Sequence, residues 1–356
     1  MKRISLAALL AVLLFGCVDE IDLTQGLPLP DGIVVSGRLL VDEEFTDAEV
    51  LLEELFRFEN SNRPGQIVTA DVRIVNNDGQ ELELLYRDGI YRATIPAGDP
   101  SFRTEEGMEF NVVVRTREGN TFVSTPETLP PTLEASSASA TLTTITVENQ
   151  VGVPGEEPAI EYTISTPLRY PDGSSAYVRW LLTEYYQQTD MSSDTSTGIK
   201  TCYIDLPFEG TSVKVVGPSS NVTELNDYSL GKNPVSFRYA EANYMEIRQE
   251  AISREAFTYF DQVSAIASTE LSIFEAPGGP VIGNVKSEDG SIDNVFGYFY
   301  VTQPSIIRVP VTKEQAGNPT AACPLNSPMP PPVNRCTDCL VASNTSTTIR
   351  PPWWEL

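Results

Sequence analysis

The chain contains no histidine among its 356 residues. That absence removes Ser-His-Asp and Cys-His nucleophile systems, histidine metal sites and histidine general bases, so any hydrolytic chemistry would have to rest on carboxylates. Basic residues are scarce as well: 24 Lys and Arg stand against 49 Asp and Glu, a net charge of −25. With no strongly basic stretch to interrupt this, the charge argues against nucleic acid and anionic lipid headgroups as partners. No G-x-S-x-G, H-E-x-x-H or phosphate-loop motif occurs. Adjacent carboxylates such as Glu53 and Glu54, or Glu156 and Glu157, face different directions on most elements. They form no matched acid and base of the kind glycoside hydrolysis needs. The chain reads as non-catalytic.

What is present begins at the start. Lys2 and Arg3 precede a mainly apolar run, Ile4 to Phe15, followed by Gly16 and Cys17. The run is about half the roughly 20 residues of a membrane-spanning helix, so it reads as a signal-peptide core rather than a span. The competing reading is an uncleaved buried helix. Leu14-Phe15-Gly16-Cys17 resembles the bacterial lipobox, which implies that Cys17 is acylated and becomes the mature N-terminus. Each buried methylene of an acyl chain contributes roughly 0.8 kcal/mol, so several chains anchor stably without a span. Loss of Lys2 and Arg3 with the leader leaves 22 basic against 49 acidic residues, a net of −27.

Four further cysteines remain, Cys202, Cys323, Cys336 and Cys339. An even number in an exported protein favours two disulfides, and three connectivities are open. Cys336-Thr337-Asp338-Cys339 has the spacing of a redox CxxC but lacks a thioredoxin-like βαβ surround. A four-thiolate zinc site would be expected to show a second CxxC pair.

The remaining pattern is mainly β. Residues 17–31 read as a lipidated tether carrying Asp19, Glu20 and Asp22. Residues 32–130 read as an immunoglobulin-like β-sandwich of short alternating strands with turns at Asn77-Asp78-Gly79 and Asp88-Gly89. Phe45 to Asn62 is expected to be a short helical insertion at its edge. Leu129-Pro130-Pro131 is expected to close that domain. Residues 131–311 read as a second β-rich domain, with strands at Ala159 to Ser165, Tyr177 to Tyr186 and Val235 to Tyr239. A helix is expected near 253–268, with Ser253 as N-cap and Ala256, Phe260, Val263 and Ala267 as a core stripe. Gln187 to Lys200 reads as an exposed polar loop. Residues 312–356 form a Cys- and Pro-rich tail too poor in periodic apolar residues to hold itself. A bridge from Cys323 to Cys336 or Cys339, together with burial of a tail Trp, is expected to fix it.

Several segments in this order resemble a Bacteroidota lipoprotein family catalogued as domain of unknown function 4249. They are Val34-Val35-Ser36-Gly37-Arg38, Asp88-Gly89-Ile90-Tyr91, Cys202-Tyr203, Ser253 to Phe260, Gly283-Asn284-Val285, Val295 to Phe299, Cys336-Thr337-Asp338-Cys339 and Pro352-Trp353-Trp354. The chain departs from the family's usual ending, where a Gly-rich link and Pro-Asp-Phe-Trp stand. The resemblance implies an outer-membrane location and the company of a TonB-dependent transporter. It also makes Asp19, Glu20 and Asp22 resemble a surface-export signal.

Two candidate ligand features remain. Calcium is the most plausible small ligand, at Asp289-Gly290-Ser291-Ile292-Asp293 or Asn76-Asn77-Asp78-Gly79, although each reads more simply as a turn. Tyr177 and Tyr185 fall on one face of a strand, with Trp180 and Tyr186 on the other. They suit a partner surface or, more simply, a core. Two functions therefore stand: an accessory to a TonB-dependent transporter in nutrient or peptide uptake, and a surface adhesin or glycan-binding module without one.

Overall fold

The computed structural model describes residues 32–55, 65–148, 152–191, 198–208, 213–219, 221–268, 281–323 and 334–356. Cys17, Asp19, Glu20 and Asp22 lie outside them. Alternation of buried and outward residues dominates the first region, which builds β1 (Gly32–Val41), β2 (Phe45–Glu54), β3 (Asp71–Asn76), β4 (Glu81–Arg87), β5 (Ile90–Pro96), β6 (Glu109–Arg115), β7 (Thr121–Ser124) and β8 (Glu127–Thr128). The expected helical insertion is a strand. In β2, Thr46, Ala48, Val50 and Leu52 are buried while the intervening residues point outward. Pairing to β1 and β5 on either side imposes this period of two and overrides the helical propensity of Glu49 to Glu54.

The second region contributes β9 (Ser137–Glu148), β10 (Pro154–Pro167), β11 (Tyr177–Thr189), β12 (Thr201–Pro207), β13 (Lys214–Val216), β14 (Glu224–Pro234) and β15 (Ala242–Ile252). Helix α1 (Arg254–Ser268) follows, then β16 (Val285–Ser287), β17 (Asn294–Phe296), β18 (Phe299–Thr302) and β19 (Pro304–Thr312). Val235 to Tyr239, expected as a strand, instead ends in a 3-10 turn over Phe237–Tyr239, capped by the Ser236 hydroxyl. Sheet β14-β10-β9 faces sheet β12-β11-β15-β19. Ile160, Tyr162 and Ile164 pack there with Val178, Trp180, Leu182, Met245 and Ile247.

Leu129-Pro130-Pro131 does not end the first unit. β16 to β18 return from the second region and join its sheet, whose order is β16-β7-β6-β3-β4-β5-β2-β1-β17, with β18 also pairing β1 and β8 pairing β6. The edge strands β16 and β17 are consecutive in the chain, so the sheet curls into a near-barrel around Val35, Leu39, Val72, Ile74, Phe110, Val112 and Phe299. The mainly β class of the sequence reading stands.

The tail is held as the cysteines require. Cys202 bridges Cys339, and Cys323 bridges Cys336. Trp354 is buried beside Tyr244 and Tyr203, and Arg308 lies over the Trp353 ring at 4.3 Å. The polar stretch Gln187 to Lys200 is not simply an exposed loop: β11 runs on to Thr189. Gln188 and Asp190 are buried, and the Asp190 carboxylate accepts from Lys200 Nζ at 3.0 Å and from the Lys200 and Cys339 backbone N–H groups.

Candidate functional site

The two regions meet where β8, β16, β18 and the start of α1 converge. Each element brings one polar group that burial forces to find a partner. Ser253 caps α1 by accepting from the Ala256 N–H at 3.0 Å, and its hydroxyl donates to Glu127 at 2.6 Å. The Tyr298 hydroxyl donates to the same carboxyl group. Asn284 completes the joint, its side-chain amide acting as a strand partner for Phe299. It donates to the Phe299 carbonyl at 2.7 Å and accepts from the Phe299 N–H at 2.9 Å. Burial pushes the Glu127 carboxyl up from the ordinary glutamate range, against the pull of its hydroxyl donors. Two glycines let the backbones approach this closely. A Cβ on Gly297, at φ +95, would lie 2.2 Å from the Val35 carbonyl oxygen, and one on Gly283 would lie 1.7 Å from the Gly297 carbonyl oxygen.

Beside this joint opens a groove of about 340 Å³ between β1, β11, β18 and α1. Behind the lining residues Arg38, Arg179 and Tyr300 lies Glu250, fully buried and faced by Arg179 at 3.5 Å, Arg248 at 3.8 Å and Arg38 at 3.9 Å. The Tyr300 hydroxyl donates to Glu250 at 3.1 Å and accepts from Arg179 at 2.6 Å. Burial, reinforced by Glu250, pushes the Tyr300 phenol up to about 12. The Arg179 guanidinium lies over the Phe260 ring at 4.2 Å. Aromatic and cationic surfaces are thus held by hydrogen bonds and packing rather than left to swing.

A family model described as domain of unknown function (DUF4249) matches residues 21–307. The chain belongs to the DUF4249 family. A search of curated proteins finds none that matches. Four of the segments that carried the DUF4249 resemblance are neighbours in space: Gly37 donates its N–H to the Tyr298 carbonyl at 3.0 Å, while Asn284, Ser253 and Tyr298 share Glu127. Arg38, Phe260 and Tyr298 all line the groove.

The other sequence candidates fall elsewhere. Trp180 and Tyr186 are buried, the Trp180 indole donating to Gln249 at 2.9 Å. Tyr177 packs on Phe257, and Tyr185 on Trp353. The face assignment was right, but α1 and the tail cover the faces, so these four rings do not form a free partner surface. The stripe on α1 is core at Ala256 and Phe260 and ends there: Val263 is half-buried and Ala267 exposed. Asp289 accepts from the Ser287 hydroxyl and the Ser291 N–H, and with Ser291 it closes a turn that holds its carboxyl down at about 2. Asn76 likewise closes its turn, accepting from the Asp78 and Gln80 N–H groups. Among the described residues no group of three or more Cys, Asp or Glu is placed to hold a metal ion.

Glu127, Glu250 and Arg179 escaped the sequence reading, and Arg38 entered it only within a segment of the family resemblance. The signal available was weak: Glu246, Arg248 and Glu250 alternate on one face of β15 and look solvent-facing, and only the packing of β18 and α1 over that face buries the last of them.

Proposed function

We propose that the protein is a non-catalytic binding protein, lipid-anchored at Cys17 in the outer membrane, facing the cell exterior and serving as accessory partner of a TonB-dependent transporter in nutrient or peptide uptake. The observation that carries the reading is the groove. Its mouth offers aromatic rings and guanidinium groups, and the nearby carboxylates are engaged: Glu49 by Arg38 and Arg92, Glu127 by Ser253 and Tyr298, Glu250 by Tyr300 and three arginines. Such a lining holds a ligand and supplies no free acid or base to turn it over.

Anchorage rests on Lys2, Arg3, the apolar run to Phe15 and Cys17; exposure rests on Asp19, Glu20 and Asp22. The tether of residues 18–31 reaches at most about 50 Å when extended, so the body stays close to a membrane-embedded partner. The transporter rests on the family resemblance. Fractionation of the producing cells tests the placement. Wild-type protein should sediment with outer membranes and be cut by protease added to whole cells. Cys17→Ser should be released, and the triple change of Asp19, Glu20 and Asp22 to Ala should become protease-resistant. Membrane retention of Cys17→Ser, or equal digestion of the triple variant, contradicts the reading.

A further inference from the structure

The groove carries more positive charge than its own carboxylates neutralise. Arg38 and Arg179 line it and Arg92 and Arg248 stand beside it, and these four guanidinium groups lie within 4.0 Å of only two carboxylates, Glu49 and Glu250. Asp47, the next carboxylate on that face of β2, accepts from the Thr94 hydroxyl at 2.7 Å and adds a third negative charge acting on Arg38. This surplus of one charge sits in a chain whose net charge is −25. Buried Arg38 Nε and Arg248 Nε have no hydrogen-bond partner among the described residues, nor does Glu250 Oε1. A buried, unmatched guanidinium N–H is costly, and the group that best satisfies it is an anionic oxygen.

The walls narrow the choice further. Tyr298 spends its hydroxyl on Glu127 and Tyr300 spends its own on Glu250, so both present ring surface rather than polar atoms to the groove. Tyr259 and Phe260 add two more rings. The mouth is therefore rich in N–H donors and apolar area. It is ill suited to a sugar, which needs acceptors as well as donors. A volume of about 340 Å³ is at the small end for a ligand site.

We propose that this groove binds an organic carboxylate with an apolar body, its carboxylate on Arg38 and Arg179 and its body against Tyr259, Phe260 and Tyr298. This deepens the binding-protein reading by naming the ligand's chemistry, and it is read on purified protein without membrane or transporter.

Calorimetric titration of the mature protein in detergent with N-acetyl-phenylalanine and N-acetyl-phenylalaninamide tests it, since the two probes differ by one charge. The acid should bind at least about tenfold more tightly than the amide. Arg38→Gln and Arg179→Gln should each remove about that factor, while Arg103→Gln, paired with Asp78 and Glu105 and absent from the groove lining, should change nothing. Because an arginine variant that misfolds would also lose binding, Glu250→Gln provides the opposite test. It removes the internal competitor for the guanidinium groups and should tighten the acid several-fold. Equal affinity for acid and amide, no binding of either at millimolar concentration, or weaker acid binding by Glu250→Gln overturns the proposal. Those failures would leave the fractionation result untouched, so the two claims fall separately.

Discussion

Replacing Glu127 with Ala removes the acceptor on which the joint is built. Ser253 and Tyr298 would then each hold a hydroxyl in a buried site with no carboxyl to receive it. An orphaned buried donor costs about 1–3 kcal/mol, so the pair gives about 2–6 kcal/mol; hydroxyl rotation favours the lower half. That is a large share of the roughly 5–15 kcal/mol that holds an ordinary domain. Glu127→Gln keeps the shape and one acceptor oxygen and removes a charge that burial opposes, so it should cost far less.

The pH dependence separates the two effects. Burial raises the Glu127 pKa, so the folded protein holds this proton more tightly than the unfolded chain does. Its contribution is fully present below the ordinary glutamate pKa and is lost as pH rises through the raised value. Wild type should therefore lose stability relative to Glu127→Gln as pH rises from the ordinary carboxylate range toward neutrality. Denaturant melts of the oxidised mature protein at several pH values measure this. Glu127→Ala as stable as wild type, or a wild-type-minus-Gln difference that is flat with pH, would refute the reasoning.

The two disulfides should differ in worth. Cys202–Cys339 spans 137 residues and Cys323–Cys336 spans 13, so in the chain-entropy model their loops contribute about 5 and about 3 kcal/mol. Ser substitution at Cys202 and Cys339 together should lower the melting midpoint more than the same change at Cys323 and Cys336, and thiol labelling of denatured, unreduced protein should find no free cysteine. Equal losses, or two labelled thiols, would count against this. Gly297→Ala should destabilise by at least about 2 kcal/mol, since the left-handed backbone alone costs about 1–2 kcal/mol and the Val35 carbonyl blocks the new methyl. Gly98→Ala, also at positive φ but with open space around it, should lose only the backbone share; equal melts for the two would exclude the close approach as the cause.

Strands with strict alternation were legible in the sequence because one buried face demands it. β3 and β4 pair Ile74 with Leu82 and Val72 with Leu84, as the pattern and the Asn77-Asp78-Gly79 turn imply. β2 was misread because Glu49 to Glu54 suits a helix locally, and its partners in β1 and β5 lie in other segments. β14 gave no signal: it carries Gly231 and Pro234, Asp227 stands at φ +48, and its register shifts against β10. The joint and the groove were illegible for a related reason. Glu127, Ser253, Asn284 and Tyr298 are scattered along the chain, and only the return of β16 to β18 to the first sheet brings them together. Gly297 splits the apolar run Val295 to Val301 into β17 and β18, both parallel to β1.

The central claim, a lipid-anchored binding protein that serves a transporter, is tested most directly by isolating the acylated protein from the outer membranes of its own cells in mild detergent. The purified material should contain a TonB-dependent transporter in near one-to-one amount, and that transporter should remain in the membrane fraction but no longer co-purify when the bait is Cys17→Ser. Recovery of the acylated protein alone, with the transporter found only in other fractions, would contradict the account.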